Sequence, residues 1–288
     1  NLPIKYQNII FESFDESKKL FKTIEENTGL NQYKVLKSFQ KNKAADFHLN
    51  GSTGYGYGDT GRETLEEIYK DIFKAEKAIV RSNIVSGTHA LAIVLFGLLK
   101  PGDSFLSISG TPYDTLLKII GKNKEPGTLN ELDIKHDCID LTKESAFDYS
   151  KIAEKLNAKK YPLICIQRSK GYSSRKSILI EDIQKVCSFI KEISPNTIIF
   201  VDNCYGEFVE TWEPIEAGAD IIAGSLIKNP GGGLALRGGY VAGKEEYVIK
   251  ASYRLTAPGI HEDVTSALDF NRTAFQGLFM APLIVEQA

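Results

Sequence analysis

Lys228 lies between an apolar, strand-like segment and a glycine-rich turn, in the stretch ADIIAGSLIKNPGGG at residues 219–233. The ammonium group of lysine is costly to desolvate, so lysine is rarely fully buried. A lysine that only marks the end of a strand would point into water. A lysine held at the floor of a site would instead have a depressed pKa and could act as a nucleophile. Both interpretations fit this stretch taken alone.

A candidate anion site occurs earlier in the chain, in SGTHALAIVLFGLL. Ser86, Gly87 and Thr88 begin a helix that is apolar almost throughout. The free backbone N–H groups and the positive end of the helix dipole favour phosphate at such a position. The alternative is that Ser86 serves only as the N-cap of the helix.

Two further side chains follow apolar segments. Asp202 ends TIIFVD, and a carboxylate at the end of a buried strand needs a cation or several donors, unless it only caps a turn. Tyr113, in SGTPYDTL, would either stack on a planar ligand or pack in the core. Ser225, three residues before Lys228, offers a hydroxyl to a phosphate.

Taken together, these groups are the parts that hold pyridoxal phosphate. A helix N-terminus binds the phosphate, an aromatic ring stacks on the cofactor, and a strand-end lysine forms the Schiff base. The acid keeps the pyridine nitrogen protonated, so that the ring acts as an electron sink. The sequence therefore predicts a pyridoxal 5'-phosphate site with Lys228 and Asp202 at its centre.

The elements that must position these residues alternate between helices and strands. We predict helices at 8–28, 31–42, 62–75, 87–100, 112–121 and 180–194, and strands at 77–82, 103–108, 161–167, 197–202, 219–225 and ending at 239–244. Apolar strands separated by helices are typical of a mostly parallel sheet covered on both faces. Ligands of such sheets bind beyond the carboxyl ends of the strands, where the candidate residues lie.

Three regions are predicted along the chain: an N-terminal helical arm at 1–45, a large cofactor-binding α/β domain at 46–255, and a linker with the start of a C-terminal small domain at 256–288. The first residue is not methionine, and the last residues read as an amphipathic helix without a cap. We therefore expect the polypeptide to be a piece of a longer chain.

The composition excludes several classes of protein. The chain has 288 residues, 42% of them hydrophobic, and a net charge of -2, which indicates a globular protein and gives no sign of a nucleic-acid or membrane surface. No apolar run approaches the roughly 18 residues of a spanning helix, and no signal peptide is visible. The four cysteines and four histidines are scattered. We expect a cytoplasmic protein without a metal site or disulfide framework.

The runs VDNCYGEFVE and ADIIAGSLIKNPGGGLA, with SGTHA and SGTPYDT upstream, resemble the fold type I pyridoxal-phosphate enzymes. More closely, they resemble the methionine gamma-lyase-like group often labelled aluminium-resistance proteins, relatives of the cystathionine beta- and gamma-lyases. The resemblance covers nearly the whole chain. It implies a fold type I large domain with a mostly parallel seven-stranded sheet. It also implies a carbon–sulfur lyase that releases ammonia, a 2-oxo acid and a thiol from a sulfur amino acid.

The resemblance also implies a role for each matching residue. Lys228 would be the Schiff-base lysine, Asp202 the pyridinium partner, and Tyr113 the ring-stacking residue and a general acid; Gly87 and Thr88 would be backbone phosphate donors beside Ser86, and Ser225 matches the serine that usually precedes the lysine by three. Relatives fix the substrate carboxylate with an arginine from the C-terminal small domain. We expect that arginine to lie beyond residue 288.

The loop GYGYGDTGRE has two interpretations. Relatives reach across a dimer interface with a tyrosine and an arginine to hold the neighbour's phosphate, and Tyr57 and Arg62 are the best matches. This likeness implies a homodimer or homotetramer with shared active sites. Gly56, Gly58 and Gly61 also spell the dinucleotide fingerprint, but that motif requires an apolar strand before it, and FHLNGST is not one.

Other assignments stay open. The segment IQRSKGYSSRKS, with Arg168, Lys170, Arg175 and Lys176, is either a solvated loop or the entrance for the substrate. Cys204 is interpreted as a packing residue. The alternative functions are another pyridoxal-phosphate reaction, such as that of a desulfhydrase, racemase or aldolase, or a cofactor-binding but catalytically silent protein.

Overall fold

The computed structural model describes residues 2–262 and 264–288. A seven-stranded sheet lies at its centre, between two layers of helices. The helices are α1 (Ile4–Lys41), α2 (Thr60–Phe73), α3 (Gly87–Leu98), α4 (Asp114–Ile120), α5 (Tyr149–Ala158), α6 (Ile180–Ile193), α7 (Glu245–Ser252) and α8 (Asn271–Gln287). The strands are β1 (Lys77–Arg81), β2 (Ser104–Ser107), β3 (Lys135–Cys138), β4 (Leu163–Gln167), β5 (Ile198–Asp202), β6 (Ile221–Ser225) and β7 (Gly239–Gly243).

The strands are ordered β1-β7-β6-β5-β4-β2-β3. Pairing is parallel from β6 to β3, whereas β7 runs antiparallel to both of its neighbours, β1 and β6. The predicted mostly parallel seven-stranded α/β fold is therefore confirmed. The strand that the sequence pattern missed is β3, whose residues KHDC are polar and only partly buried because the strand lies at the edge of the sheet.

Each sheet face packs against its own layer of helices. Ile199 and Val201 of β5 belong to the apolar cluster that includes residues of α2, α6 and α8. Phe200, between them in sequence, belongs to the cluster formed with α3 and α7. This alternation follows from the period of two in a strand. The parallel pairing of β4, β5 and β6 places the carboxyl ends of these three strands side by side.

The N-terminal arm differs from the prediction. One continuous helix, α1, covers residues 4–41 in place of the two helices expected at 8–28 and 31–42. Gly29, which directly follows the range 8–28, lies inside α1 with open space around it. The reason is tertiary, because the second half of α1 packs through Val35 and its neighbours against α2 and α8. Such packing overrides the weak helix propensity of one glycine.

Two of the three glycines after Lys228, Gly231 and Gly232, have a packing role, whereas Gly233 has open space around it. A short 3-10 helix, Asn229–Gly231, follows the lysine, and Gly232 adopts a left-handed conformation with φ 53°. A Cβ on Gly232 would overlap the backbone of Gly277 in α8, and a Cβ on Gly277 would overlap the backbone of Gly231; a Cβ on Gly231 itself would overlap the Leu226 carbonyl oxygen. The glycines therefore allow α8 to approach the turn that carries the lysine.

Among the described residues, no helix combines the length and the apolar character that crossing a membrane requires.

Candidate cofactor site

A cavity of about 680 Å³ opens at the carboxyl edge of β4, β5 and β6. It is lined by seven of the nine residues that the sequence singled out, namely Ser86, Gly87, Thr88, Tyr113, Asp202, Ser225 and Lys228. These residues come from four separate segments of the chain. The fold brings them together because the ends of parallel strands share one edge of the sheet.

Lys228 is half-buried, and its Nζ lies 4.3 Å from the centroid of the Tyr205 ring. Burial disfavours the ammonium, but the Cys204 thiol and the Asp202 carboxylate favour it, and the net effect raises the pKa of Lys228 above its ordinary value. The expectation of a depressed pKa is therefore wrong in this structure. The surrounding acidic groups outweigh the desolvation of the amine.

Asp202 ends β5 and is 3% exposed. Its Oδ1 accepts a hydrogen bond from the Cys204 N–H at 3.1 Å. Burial raises the pKa of Asp202, although that hydrogen bond and the charge of Lys228 act in the opposite direction. A cationic partner would stabilise the ionised form of this buried acid, and a protonated pyridine nitrogen is such a partner.

The N-terminus of α3 forms another wall of the cavity. The Ser86 Oγ accepts a hydrogen bond from the His89 N–H at 3.1 Å, so this hydroxyl caps the helix, as the alternative interpretation held. Gly87 packs so closely that a Cβ there would lie 3.1 Å from Cys204 Sγ and 3.9 Å from Lys228 Nζ. The Ser225 Oγ is buried and has no hydrogen-bond partner among the described residues.

Tyr113 precedes α4, and its hydroxyl lies 3.1 Å from Thr88 Oγ1. Its backbone N–H donates to the Gln167 side chain at the end of β4, 3.3 Å away. Burial raises the pKa of the Tyr113 phenol, and the nearby Asp202 adds to the effect while the Thr88 hydrogen bond opposes it. The phenol therefore stays protonated and can act as a proton donor.

Comparison with known proteins identifies the family of the chain. The sequence profile of the methionine gamma-lyase family matches residues 6–288. The chain belongs to the methionine gamma-lyase family.

The relatives are similar over almost all of this chain. The uncharacterized protein YnbB of Bacillus subtilis (strain 168) is 50% identical over 271 residues, which are 93% of this chain and 64% of the relative. This chain therefore spans less than two thirds of that curated relative. A Listeria innocua structure, described provisionally as a cystathionine beta-lyase involved in aluminum resistance, is 49% identical, with a TM-score of 0.95 over 100% of this chain and 70% of its own.

A more distant structure shares the fold alone. The pyridoxal-5'-phosphate dependent protein YhfS of Escherichia coli superposes with a TM-score of 0.69 at 18% identity, covering 92% of this chain and 66% of its own.

Two of the predicted site residues do not line the cavity. Tyr57 is 70% exposed in the loop before α2. Arg62 is 6% exposed, and its Nη1 donates to the carbonyl oxygens of Gly56 and Thr265 at 2.9 and 2.7 Å. The loop before α2 contains no strand, so the G-x-G-x-x-G motif lacks the context of a dinucleotide site.

In the charged segment after β4, the two arginines make hydrogen bonds within the protein, whereas Lys170 is exposed. Arg168, predicted to lie in a solvated loop or at the entrance, is 3% exposed and donates to Asn203 Oδ1 at 2.9 Å and Glu210 Oε2 at 2.7 Å. Arg175 donates to backbone carbonyl oxygens, one of them that of Gln167 at 2.8 Å. Lys170 is exposed and lines the mouth of the cavity, as the entrance hypothesis requires.

Sequence reasoning missed two residues at the cavity. Cys204, expected to be a packing residue, lines the cavity beside Gly87, and burial raises the pKa of its thiol so that it stays protonated. Tyr205 contributes its ring to Lys228 from a left-handed backbone with φ 67°. The signal that could have found them is their position immediately after Asp202 at a strand end.

The residues present fit pyridoxal phosphate. The unpartnered Ser225 hydroxyl and the helix N-terminus at Gly87 offer donors to a phosphate group. The absence of a side chain at Gly87 leaves open space against Cys204 and Lys228 that a Cβ would fill. The lysine and the buried acid are the donor set that a pyridoxal ring needs.

Proposed function

We propose that the protein is a pyridoxal-phosphate-dependent carbon–sulfur lyase that acts on a sulfur amino acid and releases ammonia, a 2-oxo acid and a thiol. The type would be that of methionine gamma-lyase or cystathionine beta-lyase. The observation that carries the proposal is that Lys228, Asp202 and the unpartnered Ser225 hydroxyl line one cavity. The family and the name of the Listeria relative support the reaction class.

Lys228 would hold the cofactor covalently through its Nζ. Ser225 Oγ and the backbone N–H groups of Gly87 and Thr88 would bind the phosphate. The Asp202 carboxylate would accept a hydrogen bond from the protonated ring nitrogen and keep that nitrogen charged. Bound pyridoxal phosphate supplies an electron sink conjugated to the Cα of the amino acid.

Two groups would move protons. The Lys228 amine would serve as the base that takes the proton from the substrate Cα. The Tyr113 phenol can give its proton to the departing sulfur, and the Thr88 hydroxyl at 3.1 Å orients it for that transfer. The Tyr113 ring, which lines the cavity, would stack on the cofactor and limit the access of water.

The carboxylate of the substrate needs a cationic partner in the site, and in relatives this partner is an arginine. Among the described residues, no arginine lines the cavity, and Lys170 at its mouth is the cation besides Lys228. Arginine pairs bidentately with carboxylates and is hard to replace. We therefore propose that the carboxylate is held by an arginine outside the part of the chain that the structure describes.

A second copy of the chain would complete the phosphate site. Tyr57 is exposed and free to reach a neighbouring molecule, whereas the buried guanidinium of Arg62 is held by two carbonyl oxygens. We therefore expect Tyr57, rather than Arg62, to make the contact across a dimer interface.

The test is an absorbance spectrum of the purified protein with added pyridoxal phosphate, before and after borohydride. Wild-type protein should show the absorbance band of pyridoxal phosphate bound covalently to lysine, and borohydride should bleach that band. Lys228→Ala should lose the band. Lys176→Ala, which removes an exposed lysine of the loop after β4, is the matched control and should keep it. Release of thiol and 2-oxo acid from methionine, cystathionine and cysteine then tests the reaction. A protein that takes up no cofactor would overturn the proposal.

A further inference from the structure

A buried acid that the proposed function does not use lies on the other side of the sheet. The Glu207 side chain is 0% exposed. Its Oε1 accepts a hydrogen bond from the Tyr240 hydroxyl at 2.9 Å, and its Oε2 has no partner among the described residues. A Cβ on Gly224 would lie 2.5 Å from Oε1. Because Ser225 faces the cavity, its neighbour Gly224 faces the opposite side, and Glu207 lies there.

Glu207 belongs to the turn 203–208, which carries two residues of the cavity wall, Cys204 and Tyr205. Tyr205 and Phe208 have φ values of 67° and 63°. Residues with side chains adopt this left-handed conformation only where surrounding contacts hold them in it. The conformation of this turn decides where the Tyr205 ring lies relative to Lys228.

The beginning of the turn is held by buried polar groups. Asn203 Nδ2 donates to Glu213 Oε2 at 3.0 Å, and Arg168 Nη1 donates to Asn203 Oδ1 at 2.9 Å. The Phe208 N–H donates to the other oxygen of Glu213 at 3.0 Å. These bonds tie the turn to the loop that precedes β6.

Glu207 ties the same turn to the lysine and to β7. Asn229, the residue after Lys228, donates its Nδ2 to the Glu207 backbone oxygen at 2.9 Å. The Glu207 carboxyl is bonded to Tyr240 on β7. The position of Tyr205 beside Lys228 therefore depends on contacts that Glu207 makes with both its backbone and its side chain.

The charge balance explains the protonation state of Glu207. Arg168 pairs with Glu210 at 2.7 Å and lies 3.8 Å from Glu213, whereas no lysine, arginine or histidine of the described residues forms an ion pair with Glu207. Burial raises the pKa of Glu207 to about 8, with Glu213 adding to the effect and Lys228 opposing it. An unpaired buried carboxylate costs far more than a neutral acid. The titratable groups that face it are Tyr69 of α2, Cys204, Glu213, Lys228 and Tyr240.

We propose that Glu207 is a positioning residue for the cofactor lysine, which as a neutral carboxylic acid holds the turn 203–208 in its left-handed form and keeps Tyr205 beside Lys228. The carboxyl acts through Tyr240, the backbone oxygen of Glu207 is held by Asn229, and neither group touches cofactor or substrate. The inference deepens the proposed function and rests on it for the role of Lys228 as the cofactor lysine.

The first experiment is urea unfolding of the protein without added cofactor, at pH values from about 5 to about 9. Between pH 4.5 and about 8 the folded protein keeps a proton on Glu207 that the unfolded chain has released. The unfolding equilibrium constant should therefore rise with pH, by up to about tenfold per unit, and this component should level off above the folded pKa. Glu207→Gln should lose the component. Glu192→Gln, an exposed acid of α6, should keep it.

The second experiment measures the Kd for pyridoxal phosphate by absorbance titration, with borohydride trapping at Lys228. Glu207→Gln should bind within about threefold of wild type, and Glu207→Ala about tenfold more weakly. Tyr240→Phe, which removes the donor to Oε1, should also bind about tenfold more weakly and serves where Glu207→Ala does not fold.

Each outcome decides a separate point. If unfolding of the Glu207→Gln protein had the same pH dependence as that of wild type, the proposal that Glu207 is a neutral acid would be overturned. Unchanged cofactor affinity in both Glu207→Ala and Tyr240→Phe would overturn the positioning role. A wild-type protein that binds no cofactor would overturn the proposed function and the positioning role with it, whereas the unfolding comparison would still decide the protonation of Glu207.

Discussion

The Lys228 ammonium lies over the Tyr205 ring, 4.3 Å from its centroid. A cation over an aromatic face is stabilised by about 0.5–1 kcal/mol at a partly exposed site. The aromatic face therefore stabilises the ammonium. Burial lowers the pKa of Lys228, but Cys204 and Asp202 outweigh that effect and raise it. This contact links the amine to the turn 203–208. The apolar periodicity of the sequence does not predict the left-handed conformation of Tyr205 in this turn.

Replacing Tyr205 tests the contribution of the ring. Tyr205→Leu should lower the pKa of Lys228 by less than about one unit, because the cation loses its aromatic neighbour. Tyr205→Phe should keep the raised pKa, and both variants place a side chain at the same φ of 67°, so backbone strain is matched. The measurement is the pH dependence of the borohydride-trapped attachment of pyridoxal phosphate to Lys228. Identical profiles for Leu and Phe would rule out a role for the ring.

Ser225→Ala should change stability and cofactor affinity in opposite directions. The buried Oγ has no partner among the described residues, so its removal should raise the free energy of unfolding by about 1 kcal/mol. The loss of a hydrogen bond to a charged phosphate should weaken cofactor binding by about tenfold or more.

Ser109→Ala is the matched control for that change. The Ser109 Oγ accepts a hydrogen bond from the Gln167 N–H at 2.8 Å. Its removal should lower the free energy of unfolding by about 1 kcal/mol, because a buried N–H is left unpaired. Urea unfolding and cofactor titration give both quantities. If Ser225→Ala kept full cofactor affinity, the hydroxyl would not be a phosphate ligand.

Gly87→Ala should close the space in front of the helix N-terminus. The new Cβ would lie 3.1 Å from Cys204 Sγ and 3.3 Å from Ser225 Cβ, which is tighter than ordinary contact. We expect a loss of about 1 kcal/mol or more in the free energy of unfolding from overpacking. Cofactor affinity should fall by about tenfold or more, because the methyl group occupies the place where the phosphate meets the N–H groups.

Gly29→Ala provides the comparison, since this glycine lies in α1 with open space around it. It should raise the free energy of unfolding by about 0.5–1 kcal/mol through helix propensity and leave cofactor affinity unchanged. A Gly87→Ala protein that behaved in the same way would contradict the proposed phosphate position.

His136 should make stability fall in mild acid. Burial lowers the pKa of His136 to about 4, and its Nε2 lies 2.8 Å from Ser107 Oγ. Below its ordinary value of about 6.5 the unfolded chain binds a proton that the folded protein does not. The stability present above that pH is therefore lost as the pH falls towards 4, by at most about 1.4 kcal/mol per unit.

His136→Gln should remove this part of the pH dependence, because the amide does not titrate. The measurement is the free energy of urea unfolding of wild type and variant between neutral pH and about pH 4. Parallel curves for the two proteins would show that His136 is not the group responsible.

Much of the site could be predicted from the sequence, for a reason that lies in the fold class. Lys228, Asp202 and Tyr113 each follow an apolar strand, and the ends of parallel strands share one edge. Gly87 and Thr88 begin a buried helix, and helix N-termini attract phosphate wherever they occur. Once the strands were recognised, the meeting of these residues followed from their positions in sequence.

The boundaries of weakly patterned elements could not be predicted in this way. The edge strand β3 is polar, and α1 continues through Gly29 because α2 and α8 pack against its second half. Both outcomes depend on neighbours that are distant in sequence. A pattern read within a window of ten or twenty residues does not contain them.

The sequence by itself determined the fold class and the positions of Lys228 and Asp202 at the ends of strands, because apolar strand runs and strand-end positions are local properties. The tertiary structure alone decided the environment of those groups. It placed Tyr205 under the lysine, buried Arg168 in a polar network, and raised the pKa of both Lys228 and Glu207. Burial and charge at a side chain depend on every segment packed around it, and only the folded chain brings those segments together.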